Sequence, residues 1–182
     1  KLKSSNPDVI PFPVNGGSLF ALMPFIWGAG GEIAEGSGDK WKATINEAPA
    51  VEGLTWYTDL ALKHGSSTQA ASTWKETDSL KQFQEGKVAM FITGSWVPAT
   101  IKSSDEELFN KLTVFTIPAK DSAIAASFVG GSHLCRFADS EEPELAFELI
   151  KLMATGDFAN RWSEDTNYFP GTTSALEETI KN

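Results

Sequence analysis

One stretch, residues 83–96, constrains the fold of this chain more than any other. It reads F-Q-E-G-K-V-A-M-F-I-T-G-S-W. Gly86 ends a predicted helix, and the unbroken apolar run Val88–Ile92 has the length and composition of a strand that is covered on both faces. Gly94 then turns the chain and places Trp96 at the turn, and Ser95 is expected to cap a helix that runs from Trp96 towards Ser103. The stretch therefore predicts a helix, a buried strand and a turn that presents an aromatic ring, in immediate succession.

Capping residues and apolar periodicity predict further helices. One is expected to run from Asn46, a common N-cap residue, to Gly65, a natural stop. Another is expected over 140–154, followed by a short third helix, and a last helix is expected near 174–180. The buried faces are expected to carry Ala50, Leu54, Tyr57 and Ala61 in the first of these helices, and Leu145, Ala146, Leu149, Ile150 and Met153 in the second.

Two more segments have the composition of strands. They are 113–117, which Pro118 ends, and 128–137, which contains Gly130 and Gly131. Glycine within a strand often marks a place where a ligand or another backbone comes close. Strands that alternate with helices predict an α/β layer structure, in a single domain over 1–182. Residues 1–17, rich in proline and glycine, are expected to form an extended crossover segment.

Composition excludes several classes of function. The formal net charge is -9, from 24 acidic and 15 basic side chains, which disfavours nucleic-acid binding because phosphate neutralisation needs clustered Lys and Arg. A single cysteine, Cys135, cannot form an internal disulfide, and with two histidines it cannot supply a usual zinc site. No apolar run approaches the roughly 20 residues that span a bilayer. Lys1 in place of Met indicates a processed or excised start. We predict no metal and no cofactor.

The sequence also lacks a recognisable catalytic constellation. Ser95 lies in G-S-W, which is not the nucleophile elbow G-x-S-x-G. His64 and His133 are better explained as structural residues. The acidic pairs, such as Glu106–Glu107 and Glu141–Glu142, are adjacent, whereas a glycosidase needs two carboxylates that face each other across a cleft. We therefore predict no enzymatic activity.

Aromatic residues near turns are the most informative remaining feature. The chain has six tryptophans; Trp27 precedes Gly28, Trp96 follows Ser95, and Tyr168 precedes a Phe-Pro-Gly turn. Aromatic rings at loop ends suit the C–H-rich faces of sugars, and neighbouring polar groups can bond sugar hydroxyls. The alternative is that these large side chains fill the core, which is the favoured interpretation for Trp56 and Trp162.

The order of these motifs resembles the extracellular solute-binding proteins of bacterial sugar ABC transporters, the group that includes maltose-binding protein. The resemblance rests on the stretch 83–96, Ile117-Pro118, F-V-G-G over 128–131, the helix E-P-E-L-A-F-E-L-I-K-L-M, the turn 168–171, and upstream F-I-W-G-A-G-G-E-I and A-P-A-V-E-G-L-T-W-Y-T-D-L. It implies one lobe, the C-terminal one, of a periplasmic-binding-protein type II fold, with a mixed sheet flanked by helices.

The resemblance also implies a function and a set of ligand contacts. The implied function is that of a monomeric receptor, which binds a sugar or oligosaccharide between two lobes and delivers it to membrane permease subunits. The receptor would lie in the periplasm, or on the extracellular face of the membrane as a lipoprotein. The resemblance places sugar contacts at Trp96, Ser95, Gly17, Ser18, Phe20, Gly130 and Gly131, and less strongly at Trp27 and Tyr168. Two alternatives remain open. One is a fragment of a glycoside hydrolase or transferase, and the other is a receptor of the same fold for a peptide, a polyamine or an anion.

Overall fold

The computed structural model describes residues 2–120, 124–173 and 176–177. Contacts between residues divide the chain into two compact units. Unit 1 is Lys1–Thr93 with Thr113–Val129, and unit 2 is Gly94–Leu112 with Gly130–Asn182. The helix predicted near 174–180 lies mainly outside the described residues. The single domain predicted over 1–182 stays a prediction.

The described part of unit 1 is mostly helical. Its elements, in chain order, are helix α1 (Leu2–Ser5), helix α2 (Leu19–Gly28), strands β1 (Ala34–Ser37) and β2 (Lys40–Ala43), helix α3 (Ala48–Leu62), a 3-10 helix (Gln69–Thr73) and helix α4 (Glu76–Gln84). Strands β1 and β2 form an antiparallel hairpin in which Gly36 is opposite Trp41. The sequence predicts extended chain over residues 1–17, whereas Leu2–Ser5 form one helical turn. This turn is possible because the segment contains no proline before Pro7.

Helices α2 and α3 pack against each other and form the core of unit 1. Phe25 of α2 lies 4.8 Å from Tyr57 and 5.0 Å from Trp56, measured between ring centroids. Ala21, Phe25 and Tyr57 are buried together, with Phe12 and Ile92 against them. Helix α2 continues through Pro24, although proline removes one backbone hydrogen bond. Burial of Pro24 and its neighbours against α3 offsets that loss.

The predicted helices that lie within the described residues are confirmed. Helix α3 begins two residues after Asn46 and ends three residues before Gly65, and helix α4 ends two residues before Gly86. The buried face of α3 differs from the prediction, because Ala50, Gly53 and Tyr57 are buried whereas Leu54 is exposed. Because Gly53 has no side chain, it does not contribute to the spacing of apolar residues. The face of α3 that packs against α2 therefore cannot be found from hydrophobic residues alone.

The predicted strands are not formed among the described residues. Segments 88–92, 113–117 and 128–137 carry no strand, and the described sheet is the two-stranded hairpin in place of the expected mixed sheet. Val88 makes one isolated parallel bridge, to Ile10. Apolar composition predicts that a segment favours burial, but a strand also needs a continuous hydrogen-bonded neighbour. That neighbour is a property of the tertiary structure.

The described part of unit 2 contains helices α5 (Val97–Ser104), α6 (Glu106–Phe109), α7 (Pro143–Ala154) and α8 (Gly156–Thr166). Val97 and Ile101 of α5 and Ala159 of α8 are buried. The predicted buried stripe on α7 is wrong: Leu145, Leu149 and Met153 are exposed, and Ala146 and Ile150 are half-buried. Helix α7 packs against α8, and most of its apolar side chains remain exposed.

Candidate functional site

The N-terminal end of α2 brings together three of the predicted ligand contacts. Gly17 and Phe20 are exposed there, and Ser18 is the N-cap residue between them. Ser18 is only 7% exposed, yet its Oγ has no hydrogen-bond partner among the described residues. The first backbone N–H groups of a helix also lack acceptors within the helix. The start of α2 therefore has backbone donors without acceptors in the helix, and a buried Ser18 hydroxyl without a hydrogen-bond partner among the described residues.

Two half-exposed aromatic rings lie beside this helix end. Phe20 and Phe128 are 45% and 46% exposed, and their ring centroids are 4.6 Å apart. Phe128 belongs to the segment 128–137, which the sequence predicts as a strand. Phe20 and Phe128 are 108 positions apart in the sequence, and their contact was not predicted. The pair forms an exposed apolar surface at the first turn of α2, two residues along the chain from Ser18, and such a surface suits the apolar face of a sugar.

A buried hydrogen-bond network holds the turn that leads into α2. The Asn15 backbone N–H donates to the Tyr57 hydroxyl at 2.7 Å, and the Ser79 hydroxyl donates to Asn15 Oδ1 at 2.9 Å. The Ser18 N–H donates to the Asn15 carbonyl at 3.4 Å. Asn15 and Ser79 are 3% and 0% exposed. These contacts link α3 and α4 to the turn 15–18.

Close backbone contact explains the two glycines of this turn. The Gly16 N–H donates to the Ala71 carbonyl at 3.1 Å, and the Gly17 N–H donates to the Trp74 carbonyl at 3.0 Å. A Cβ atom at position 17 would lie 2.8 Å from that same Trp74 oxygen. A side chain larger than hydrogen would therefore move the turn away from the 3-10 helix and away from the first turn of α2.

Burial of Tyr57 makes the stability of unit 1 depend on pH in the alkaline range. Removal of its hydroxyl from water raises the pKa of Tyr57 to about 12, while the Asn15 N–H bond acts in the opposite direction. The folded state therefore disfavours the phenolate, and its stability is complete below the ordinary pKa of 10.0. We expect the free energy of unfolding to fall between about pH 10 and pH 12. Urea denaturation across this range checks it, and Tyr57→Phe should remove that part of the slope.

Trp27 lies at the other end of α2 from Ser18. The two residues are nine positions apart, which corresponds to roughly 13 Å along a helix axis. Trp27 is half-buried, and its Nε1–H donates to a Glu32 carboxylate oxygen at 3.2 Å. The structure thus does not bring Trp27 together with Gly17, Ser18 and Phe20. Its predicted contact with the ligand stays a prediction.

In unit 2, the turn 94–96 positions Trp96 at the start of α5. Trp96 is the N-cap residue of α5, in place of the predicted Ser95, which is exposed. A Cβ atom at position 94 would lie 2.5 Å from Trp96 Nε1 and 2.8 Å from its Cδ1. The indole therefore lies directly against Gly94, and the absent side chain of Gly94 sets the position of the ring. Trp96 is half-buried, so part of its ring is open to solvent.

The remaining predicted contacts of unit 2 lie in different settings. Tyr168 follows α8 and stacks on Trp162, with ring centroids 5.2 Å apart and an angle of 21° between the planes. Both rings are 40% exposed or more, so Trp162 is not the core residue that the sequence favours. Gly130 and Gly131 lie in exposed chain without strand pairing, and a Cβ atom at Gly131 would contact nothing within 4 Å.

Other kinds of site have no support within the described residues. Among residues 2–120, 124–173 and 176–177, no group of three or more His, Cys, Asp or Glu could hold a metal ion. No described helix is both long and apolar enough to cross a membrane. The paired carboxylates Glu106–Glu107, Glu141–Glu142 and Glu164–Asp165 are exposed. A surface groove of about 650 Å³ on α3, lined by Val51, Trp56 and Lys120 among others, contains none of the predicted contacts.

Solved structures with the same fold define the class of protein. One is an ABC transporter solute-binding protein from Thermotoga lettingae bound to α-D-tagatose, with 21% identity and a TM-score of 0.75 over 96% of this chain. Another is the maltose-bound MalE3 protein of T. maritima, with 22% identity and a TM-score of 0.76 over 98% of this chain. The fold is thus that of periplasmic binding proteins.

The profile of the family described as bacterial extracellular solute-binding protein matches residues 6–182. The chain belongs to this family, which consists of binding proteins and not of enzymes. It spans 45% of the T. lettingae protein and 48% of the T. maritima protein, so it corresponds to about half the length of these two relatives.

Proposed function

We propose that this chain is the C-terminal lobe of a carbohydrate receptor of an ABC transport system, with a type II periplasmic-binding-protein fold. Family membership and the two sugar-bound structural relatives support this proposal. The complete receptor would bind a sugar or oligosaccharide as a monomer, in the periplasm or lipid-anchored on the extracellular face. It would then deliver the sugar to permease subunits in the membrane.

The observation that carries the proposal is the unpartnered hydroxyl of Ser18. A buried polar group without a hydrogen bond destabilises a protein by about 1–3 kcal/mol. Such a group is tolerated where a ligand supplies the missing partner. Here the hydroxyl belongs to the N-cap residue of α2, and the exposed ring of Phe20, which packs on Phe128, follows in the first turn. A sugar hydroxyl would accept from or donate to Ser18 Oγ, while an apolar face of the ring would cover Phe20.

Closure of two lobes would turn this contact into a transport signal. A ligand shifts a conformational equilibrium only by its difference in affinity for the two states. A sugar that contacts Ser18 on this lobe and further groups on a second lobe binds the closed form better than the open one. The closed form is then the one that the permease recognises. We expect this chain alone, with one side of such a cleft, to bind sugar weakly.

A helix N-terminus with a nearby hydroxyl also suits an anion. The test therefore compares sugar binding, anion binding and hydrolysis of an oligosaccharide in one experiment. The test is calorimetric titration of the full-length protein with maltose, maltotriose, D-tagatose, D-glucose, sulfate and phosphate. Saturable binding of a sugar, with no release of reducing ends over hours, supports the proposal. Binding of an anion alone, or hydrolysis of an oligosaccharide, contradicts it.

Replacement of Ser18 by alanine is expected to have opposite effects on stability and on sugar binding. Without ligand, it removes an unpaired buried hydroxyl, so the free energy of unfolding should rise by about 1 kcal/mol. In the full-length protein, it removes a partner of the sugar, so the Kd should rise about fivefold. Urea denaturation and calorimetry measure the two quantities.

A matched control is Ser163→Ala, because Ser163 is equally buried but its hydroxyl donates to the Tyr168 carbonyl. This variant should lose stability where Ser18→Ala gains it. If Ser18→Ala also lowered the free energy of unfolding and left the Kd unchanged, the hydroxyl would be an ordinary structural group and the proposal would lose its main support.

A further inference from the structure

We propose that Tyr57 and Ser79 are positioning residues for the ligand, although neither is among the predicted ligand contacts. This inference rests on the proposed function, since it concerns the end of α2 that carries Ser18. It assigns a role in affinity to a buried network on α3 and α4, elements in which the sequence shows only helical packing.

The first step is the position of Asn15. This residue is polar, almost fully buried, and held on two sides by different helices. Its backbone N–H donates to the Tyr57 hydroxyl of α3, and its Oδ1 accepts from the Ser79 hydroxyl of α4. Its Nδ2 also lies 3.5 Å from the Lys75 carbonyl. A small polar side chain that is bonded in several directions has little freedom to move, so Asn15 is a fixed point at the start of the turn.

The second step is the connection from Asn15 to Ser18. Only two residues separate them, and the Ser18 N–H donates to the Asn15 carbonyl at 3.4 Å. Gly16 and Gly17 between them are bonded to the Ala71 and Trp74 carbonyls. Asn15, Gly16 and Gly17 are therefore each bonded to an element outside the turn, and Ser18 is bonded to Asn15. A shift of Asn15 would be passed directly to the Ser18 hydroxyl and to the first amides of α2.

The third step is energetic. A protein group that is already fixed in its bound position loses less conformational entropy when a ligand binds. Because Ser18 Oγ has no hydrogen-bond partner among the described residues, no bond to that oxygen holds it in place there. The network around Asn15 does this instead, through the backbone. The turn therefore loses its conformational entropy when the protein folds, and little of it remains to be lost when the ligand binds.

The test is a double-mutant cycle in the full-length protein, with the sugar of the panel above that binds best as the probe. Tyr57→Phe keeps the ring and removes the hydroxyl that Asn15 bonds. We expect it to raise the Kd about fivefold in the wild-type background, and less than about twofold when Ser18 is already alanine. Ser79→Ala, a second variant that frees the other side of Asn15, should behave in the same way.

The control is Thr44→Val, which has nearly the same shape and removes a buried hydroxyl of unit 1 that donates to the Glu32 carbonyl at 3.0 Å. Thr44 is outside the turn, so this variant should leave the Kd unchanged while it lowers stability. Equal effects of Tyr57→Phe and Thr44→Val on the Kd, or additive effects of Tyr57→Phe and Ser18→Ala, would show that Tyr57 is merely structural.

A measurement without ligand keeps the two proposals separate. Amide hydrogen exchange of residues 15–17 should be faster in Tyr57→Phe and Ser79→Ala than in wild type, and unchanged in Thr44→Val. Unchanged exchange in all three variants overturns the positioning role. If the wild type binds no sugar, the proposed function is overturned. If amide exchange is nevertheless faster in Tyr57→Phe and Ser79→Ala, the conclusion that Tyr57 and Ser79 hold the turn is retained.

Discussion

Replacing Gly53 by alanine is expected to lower the free energy of unfolding by about 3 kcal/mol. Gly53 lies in the middle of α3, at its crossing with α2. A Cβ atom there would lie 2.5 Å from the Ile26 Cα and 2.5 Å from the Phe25 carbonyl oxygen. Both are backbone atoms, so no rotamer change can relieve the contact and the two helices must move apart. Separation would also loosen the buried packing of Phe25 against Tyr57.

The sign of this effect distinguishes tertiary contact from local propensity. In an exposed helix, glycine to alanine is stabilising by about 1 kcal/mol, so propensity alone predicts a gain. Gly131→Ala is the matched control, because a Cβ atom at Gly131 meets nothing within 4 Å. Urea denaturation of the three proteins measures the difference. Stability of Gly53→Ala at or above the wild-type value would mean that α2 and α3 do not approach each other as described.

Replacing Trp96 by alanine in the full-length protein is expected to weaken sugar binding by about 1–3 kcal/mol, or roughly fivefold to 150-fold in Kd. The estimate is that for loss of one aromatic contact with an apolar sugar face. Trp96 is half-buried, at the start of α5, with its indole against Gly94. Calorimetric titration with the best-binding sugar measures the change. Unchanged affinity in a folded variant would make Trp96 a structural residue.

Two further variants separate the position of the Trp96 ring from its presence. Gly94→Ala keeps the indole but adds a Cβ atom at 2.5 Å from its Nε1, so the ring must shift, and we expect an intermediate loss of affinity. Trp41→Ala removes a tryptophan that is 66% exposed on the β1–β2 hairpin and lies outside the predicted contacts. That variant should bind sugar as the wild type does, whatever general effect the loss of an indole has.

Local sequence signals predicted α3, α4, α5, α7 and α8, but not α2, in which Pro24 was expected to interrupt a helix. The bounds of α3, α4 and α5 follow from residues near their ends, such as Pro49 in the first turn of α3 and Gly86 after α4. Gly86 has a φ of +71°, a conformation that side chains other than hydrogen disfavour. Capping, proline and glycine act over a few residues, so their effects are visible without knowledge of the fold.

The strands and the buried face of α7 were predicted wrongly for a common reason. Both predictions assumed a partner from elsewhere in the molecule. Segment 113–117 is apolar but has no hydrogen-bonded neighbour strand among the described residues, and Leu145 and Leu149 on α7 have no covering element there. Hydrophobic composition shows that a segment would gain from burial, and it does not show what buries it.

By itself, the sequence determined most of the helical segments, the absence of a recognisable catalytic motif, and the resemblance to extracellular solute-binding proteins, which family membership bears out. Only the tertiary structure decided that Ser18 is buried without a partner among the described residues and that Asn15 is held by Tyr57 and Ser79. These last contacts join residues 42 and 64 positions apart. Hydrogen bonds over such separations depend on how helices pack, and packing depends on the complete three-dimensional arrangement of side chains. The residue types of the candidate site can therefore be read from the sequence, whereas the distances between them are set only when the chain folds.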